Sequence, residues 1–227
     1  MIDYTLIRAK RRTVALYVRD GEAIVRAPLR MPKSRIDAFV LSKEKWVLEE
    51  LRKSKIRAEQ LANFELNYND EILYRGKNYK ITACVNNQNS VDDYAQRFFI
   101  PQDLSTEKIK ATVIKIYRKL AKQHLTERLE HFQSLMGVSV TTFRISSAKK
   151  RWGSMSSKKG VSFSWLLIMA DDDMIDYVVV HELAHIIEMN HSVQFWEIVQ
   201  NILPDYKLRQ AKLKELNHRT STENWKV

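Results

Sequence analysis

The sequence predicts an α+β fold, with a β-rich amino-terminal part carrying one helix and a following part built from a long helix, a small sheet and a buried central helix. Three observations carry this. Two-residue alternation broken by Gly-containing turns runs up to Pro101, three- and four-residue apolar spacing begins after Ser105, and an apolar run, Tyr177-Val178-Val179-Val180, leads into polar residues. With 227 residues, 44% of them hydrophobic and 10% aromatic, the chain can build true cores.

Taken in order, Thr13-Val14-Ala15-Leu16-Tyr17-Val18, the turn at Asp20-Gly21 and Ala23-Ile24-Val25-Arg26-Ala27-Pro28 read as a hairpin. Ser34 is placed to cap a helix over residues 35–55, with Ile36, Phe39, Val40, Trp46, Val47 and Leu51 on its apolar face. Glu71-Ile72-Leu73-Tyr74, a turn at Gly76-Lys77-Asn78 and Tyr79-Lys80-Ile81-Thr82 repeat the hairpin pattern, and Arg97-Phe98-Phe99-Ile100 reads as a further strand. From Ser105 a long amphipathic helix carries Ile109, Val113, Ile116, Leu120, Leu129, Phe132 and Met136, and Gly137 stops it. The expected domain boundary lies at residues 102–104, dividing a basic domain 1–103 from a domain 104–227. Two strand-like runs follow, 138–146 and 161–168, separated by the basic, small-residue stretch Lys149-Lys150-Arg151-Trp152-Gly153-Ser154. Asp171, Asp172 and Asp173 then open a helix at its positive dipole end.

The balance of 38 Lys+Arg against 27 Asp+Glu gives +11, and +7 of it lies in residues 1–60. Such a surface attracts nucleic acid, acidic proteins or phosphorylated molecules, and it equally describes an ordinary solvated face. No run of 18 apolar residues occurs and the start has no apolar signal-peptide core, so a cytoplasmic protein with no membrane partner is expected. The single Cys84 excludes an intramolecular disulfide and a thiolate metal cluster; it reads as a strand cysteine.

His181-Glu182-Leu183-Ala184-His185 places two histidines about 40° apart around a helix and one turn from each other, so both rings can reach one cation. Glu182 lies about 60° from His185, placed to take a proton from a water without being a ligand. His191 follows His185 by six residues, which is the third-ligand spacing of HExxHxxGxxH zinc proteases. The glycine of that pattern is Glu188 here, a competing ligand by position for which a helix-end or supporting role is favoured. The helix is expected to end near Met189-Asn190. His124 and His131, seven residues apart on the long helix, lack a third ligand and read as polar-face histidines.

Beyond the metal motif, Arg151-Trp152-Gly153-Ser154, Ser162-x-Ser164-Trp165, Ile175-Asp176-Tyr177, Asn190-His191-Ser192-x-x-Phe195-Trp196 and Pro204-Asp205-Tyr206-Lys207 together resemble the YgjP-like metal-dependent hydrolases, a family related to the SprT-like and WLM zinc metallopeptidases. The resemblance spans about residues 105–215. It implies a minimal zincin-like catalytic domain at 104–227, a Zn2+ cofactor held by His181, His185 and His191, and Glu182 as general base. Two positions depart from the family: Met155 stands where a cysteine is common, and Asp171-Asp172 where a proline is usual. The expected activity is a zinc metallopeptidase acting on a peptide or unfolded protein. Hydrolysis of a nucleotide phosphoanhydride is the first alternative, with phosphates on the basic surface; a non-catalytic zinc-containing nucleic-acid or protein-binding module is the second. Arg151 and Tyr177 are candidates for substrate or transition-state contacts, against plain roles as an exposed arginine and a packing tyrosine. Strand 161–168 is expected to border the cleft, where an extended substrate adds by backbone hydrogen bonds.

Overall fold

The computed structural model describes residues 2–85 and 88–225. Strands β1 (Thr5–Ala9), β2 (Ala15–Arg19) and β3 (Glu22–Pro28) form one sheet in the order β1-β3-β2, with β2 antiparallel and β1 parallel to β3. The expected hairpin turn is present. Asp20 (φ 52°) and Gly21 (φ 84°) both take the left-handed conformation that a tight two-residue turn between twisted strands requires. The expected single helix is two, α1 (Lys33–Ser42) and α2 (Glu44–Ala62). They part at Lys43, beside a Ser42 hydroxyl that donates to the Phe39 carbonyl (2.7 Å) in competition with the backbone. Ser34 lies inside α1, which starts after Pro32 without a side-chain cap. Ile36 and Val40 of α1 pack with Val25 and Ala27 of β3 as a small core.

A second sheet, in the order β4-β5-β7-β6, contains β4 (Glu71–Tyr74), β5 (Lys77–Cys84), β6 (Ser90–Asp92) and β7 (Arg97–Pro101). Its first turn is Arg75-Gly76, at φ 46° and 76°, rather than residues 76–78, so the strand resumes at Lys77. Cys84 ends β5, half-buried, as a strand cysteine. The long helix is α3 (Thr106–Met136), capped by the Ser105 hydroxyl and stopped by Gly137 at φ 64°, both where expected.

The chain divides into two compact units, one reaching to Phe64 and including Thr222–Asn224, the other Glu65–Ser221 with Trp225. The boundary expected at 103/104 falls inside the second unit. The reason is a shared core: the buried Tyr117 of α3 donates its hydroxyl to the Leu73 carbonyl (2.7 Å) and meets Phe98 of β7 edge-on at 5.5 Å.

The third sheet, in the order β8-β10-β9, contains β8 (Thr142–Ser146), β9 (Gly153–Met155) and β10 (Gly160–Ser164). The run expected as a strand to Ile168 stops at Ser164, and Trp165–Met169 form a 3-10 turn. All five turn residues are buried, and apolar residues in sequence satisfy a turn enclosed on every side as readily as a strand. Next come α4 (Asp172–Ala184), α5 (Val193–Ile202) and α6 (Tyr206–Arg219). α4 is apolar nearly all round and packs against α3, α5, α6 and β9. Asp171 caps it by accepting from the Met174 N–H (2.8 Å). Among the described residues no helix is long and apolar enough to cross a membrane.

The start of α4 is clamped by the β4–β5 turn. The N–H groups of Arg75 and Gly76 donate to the carbonyls of Ile168 (2.9 Å) and Met169 (3.0 Å), and the Arg75 guanidinium makes a two-pronged pair with Asp172 (3.1 and 2.5 Å). Gly76 has a second reason to be glycine, since a Cβ there would stand 2.8 Å from that of Asp171. The Arg75 hydrogen bonds hold the Asp172 carboxyl below its usual range, against the opposing effect of burial. A carboxylate with a lowered folded pKa contributes stability above its unfolded pKa and loses it as pH falls through the folded value. Arg75→Leu is therefore expected to destabilise the protein at pH 7 and by much less at pH 3, measured as urea midpoints at both values.

Candidate metal centre

His181 and Glu182 sit on the last full turn of α4, and His185 is its C-cap residue. The helix ends about one turn earlier than expected. From His185 the chain tightens into i→i+3 bonds, with Ile186 N–H donating to the Leu183 carbonyl (2.9 Å) and Ile187 N–H to that of Ala184 (3.0 Å). This tighter exit dispenses with a left-handed glycine, so Glu188 is tolerated where HExxHxxGxxH sequences have Gly. The Glu188 side chain accepts from the Asn190 N–H (3.1 Å), a loop-holding role, and is not among the clustered donors.

The reversal carries His191 back over the helix. The ligand atoms of His181, His185 and His191 lie within 4.8 Å of one another, and the Nε2 atoms of His181 and His191 are 3.1 Å apart. Four-coordinate zinc with nitrogens at about 2.0–2.1 Å would space its ligands about 3.4 Å apart, close to that separation. Two imidazole nitrogens facing at this distance need a proton or a cation between them. The His185 Nδ1–H donates to the Glu188 carbonyl (3.2 Å), which leaves its Nε2 lone pair free for the cluster. Burial pushes His181 down to about 4 and also lowers His185, so both rings are neutral at pH 7, as ligands must be. The donor set fits a zinc-type cation. His124 and His131 stand elsewhere: His124 bonds Asp172 (3.0 Å) and His131 packs on Phe132.

The rings are held by α5, whose role the sequence reading did not assign. Ser192 caps that helix by accepting from the Phe195 N–H (3.3 Å), and the fully buried Phe195 ring lies 4.6–5.0 Å from all three imidazoles. Trp196 meets His191 at 5.8 Å and stacks on Tyr206 of α6 at 5.3 Å. The signal was present in His191-Ser192-x-x-Phe195-Trp196, a cap followed by aromatics one turn on.

Glu182 is 6% exposed, and its burial raises the carboxyl to about 7 against the opposing pull of a hydrogen bond from the Met155 backbone and the charge of Arg151. Strand β9 is the wall behind it. A Cβ on Gly153 would stand 2.6 Å from both Cγ and Oε1 of Glu182, so glycine there gives the carboxylate its place. The sequence reading missed β9 as a strand, since three residues with Gly and Ser show no alternation. The contact that residue 155 makes with the carboxylate is through its backbone, so it does not depend on the methionine side chain. The expectation that an extended substrate adds to strand 161–168 by backbone hydrogen bonds is corrected: β10 is the central strand, paired on both sides, and β9, which lies against Glu182, is an edge of that sheet.

Arg151 and Tyr177 line one cavity of about 690 Å³ with His181 and Glu182. Tyr177 is buried, its ring 5.8 Å from that of His181, and its hydroxyl, pushed up to about 12 mainly by burial, hydrogen-bonds Gln210.

A convergent histidine trio beside a buried glutamate, on the central helix of an α+β unit, is the constellation of a metallopeptidase. The chain belongs to the YgjP-like metallopeptidase domain family, whose model matches residues 12–216. Two solved structures are similar over part of the chain. The metallopeptidase zymogen abylysin of Pyrococcus abyssi is 22% identical, with 39% of this chain and 90% of that one aligned at a TM-score of 0.37. For the metallopeptidase zymogen jannalysin of Methanocaldococcus jannaschii the values are 19%, 41%, 95% and 0.36. No curated protein matches the sequence.

Gly153→Ala should push the Glu182 carboxylate aside. Since misplacing a reacting group by about 1 Å costs on the order of 10²-fold, peptide hydrolysis should fall by roughly that factor with metal content unchanged. Met155→Ala, which keeps the backbone contact, should stay near wild type in the same assay.

Proposed function

We propose that the protein is a zinc-dependent peptidase in which His181, His185 and His191 hold the ion and Glu182 is the general base. The observation that carries this is the convergence of three imidazoles, their ligand atoms within 4.8 Å of one another, beside a deeply buried carboxylate that has no ion-pair partner among the described residues. Burying an unpaired carboxylate is costly, and such groups concentrate where chemistry needs them. A bound zinc ion would supply the Lewis acidity that acidifies a water and polarises a substrate carbonyl. Glu182, with a proton affinity balanced near neutrality, is placed to accept a proton from an attacking water and to return it to the leaving amine. The Met155 N–H and the crowding of Gly153 keep the carboxylate pointed along one path. Tyr177 and Arg151, on the wall of the same cavity, are placed to contact substrate.

The non-catalytic zinc module finds no support in a buried Glu182, which such a module would have no use for. A peptide or unfolded protein is the proposed substrate, and the cytoplasm the proposed location.

Two experiments separate ligand from base. Metal analysis should give one zinc per chain, falling sharply in His185→Ala and His191→Ala and unchanged in His124→Ala. Glu182→Gln should keep its zinc and its fold while cleavage of an unfolded protein drops by the ~10²–10⁴-fold typical of a positioned base. Wild-type turnover in that variant would refute the assignment of Glu182.

A further inference from the structure

The cavity beside Glu182 has a charge pattern that the hydrolytic chemistry does not require. Its far wall is α6, where Lys207, Gln210, Lys214 and Asn217 recur at steps of three and four and so share one helix face. The other basic residues near the start of that helix have acidic neighbours: Arg209 pairs with Asp205 (2.8 Å) and reaches Asp173 (3.5 Å), and Lys212 stands 4.0 Å from Asp173. Lys207 and Lys214 have no ion pair among the described residues, and neither does Arg151, which enters the cavity from the β9 side. Glu182 is the only carboxylate among the described lining residues. Three cations thus face one cleft, where low-dielectric walls concentrate their field. The Asn217 amide lies beside Lys214, and the Gln210 amide, between the two lysines, hydrogen-bonds the Tyr177 hydroxyl.

We propose that this cavity is the substrate-selecting subsite of the peptidase and that it takes an acidic peptide segment, with Asp or Glu carboxylates held by Lys207, Lys214 and Arg151. The proposal rests on the hydrolytic reading of the histidine trio and Glu182, and adds the class of peptide. Spacing favours a peptide over a compact anion. Seven residues separate the two lysines, about 10 Å along the helix, which is the span of about three residues of extended chain. Carboxylates distributed along an extended segment match that separation, whereas the phosphates of one nucleotide are clustered.

The test uses the full chain loaded with zinc and two fluorescein-labelled octapeptides of the same length, one rich in Glu and one with Gln at every Glu position. Fluorescence anisotropy should show the Glu peptide binding at least ~10-fold more tightly, with an affinity that falls as salt rises. K207E/K214E should abolish that preference, and K207Q/K214Q should reduce it. K10E/R12E, in the amino-terminal unit, should leave it intact. All three variants change exposed residues, and circular dichroism melts confirm that each is folded. Equal binding of the two peptides overturns the proposal. So does a preference lost equally in K10E/R12E, which would mark general attraction to a basic chain. A nucleoside triphosphate that displaces the Glu peptide at lower concentration, and is itself hydrolysed, overturns it in favour of phosphate. Cleavage of both peptides, followed alongside, keeps the two readings apart. Cleavage without charge preference removes the subsite and leaves the peptidase, while preferential binding without any cleavage removes the peptidase and leaves the subsite.

Discussion

A helix covered on every side has to find a partner for each polar group it carries, and α4 is such a helix. Its amino-terminal half meets the requirement with ion pairs and a cap. Asp171 accepts from the helix backbone, Asp172 is held by Arg75 and His124, and Asp176 by Arg128 at 2.6 and 2.9 Å. Its carboxyl-terminal half does not. His181, Glu182 and His185 carry no ion pair among the described residues: His185 donates to the Glu188 carbonyl, Glu182 accepts from the Met155 backbone, and the ligand atoms of His181 and His185 gather with that of His191. This buried helix therefore has an anchored end and an end that carries the histidine cluster.

Placement of Glu182 depends on a close approach that only a bare backbone allows. β9 presents Gly153 to the glutamate side chain and the Met155 N–H to its carboxylate, so the group is restrained by contact and by hydrogen bonding together. Burial raises the proton affinity of the carboxyl while the amide and Arg151 lower it, and the balance lies near neutral pH. A carboxyl balanced in this way can both accept and release a proton near neutral pH.

The charges of α6 divide by what each face of the helix meets. Toward α4, Arg209 lies beside Asp173 and Asp176 and helps to fix the packing of the two helices. Toward the cavity, Lys207 and Lys214 make no ion pair among the described residues. A net charge of +11 says only that the chain is basic; which cations are committed to structure and which are available to a ligand is set by the acids brought near them.

Local patterns in the sequence determined the α+β class, two of the hairpins, the capped ends of α3, the acidic start of α4 and the spacing that lets His181, His185 and His191 cluster. Each of these depends on residues a few positions apart, where periodicity, caps and ligand spacing are written directly into the chain. Tertiary structure decided the rest. It joined β4–β7 to the core of α3, because Phe98 and Tyr117 meet only once distant segments pack. It also ended the strand at Ser164, made a strand of 153–155, and turned the chain after His185 without a glycine. Alternation and amphipathic spacing encode which side of a segment is apolar. Which surface comes to cover that side, and therefore what Gly153 and Phe195 pack against, is fixed by contacts between residues remote in sequence.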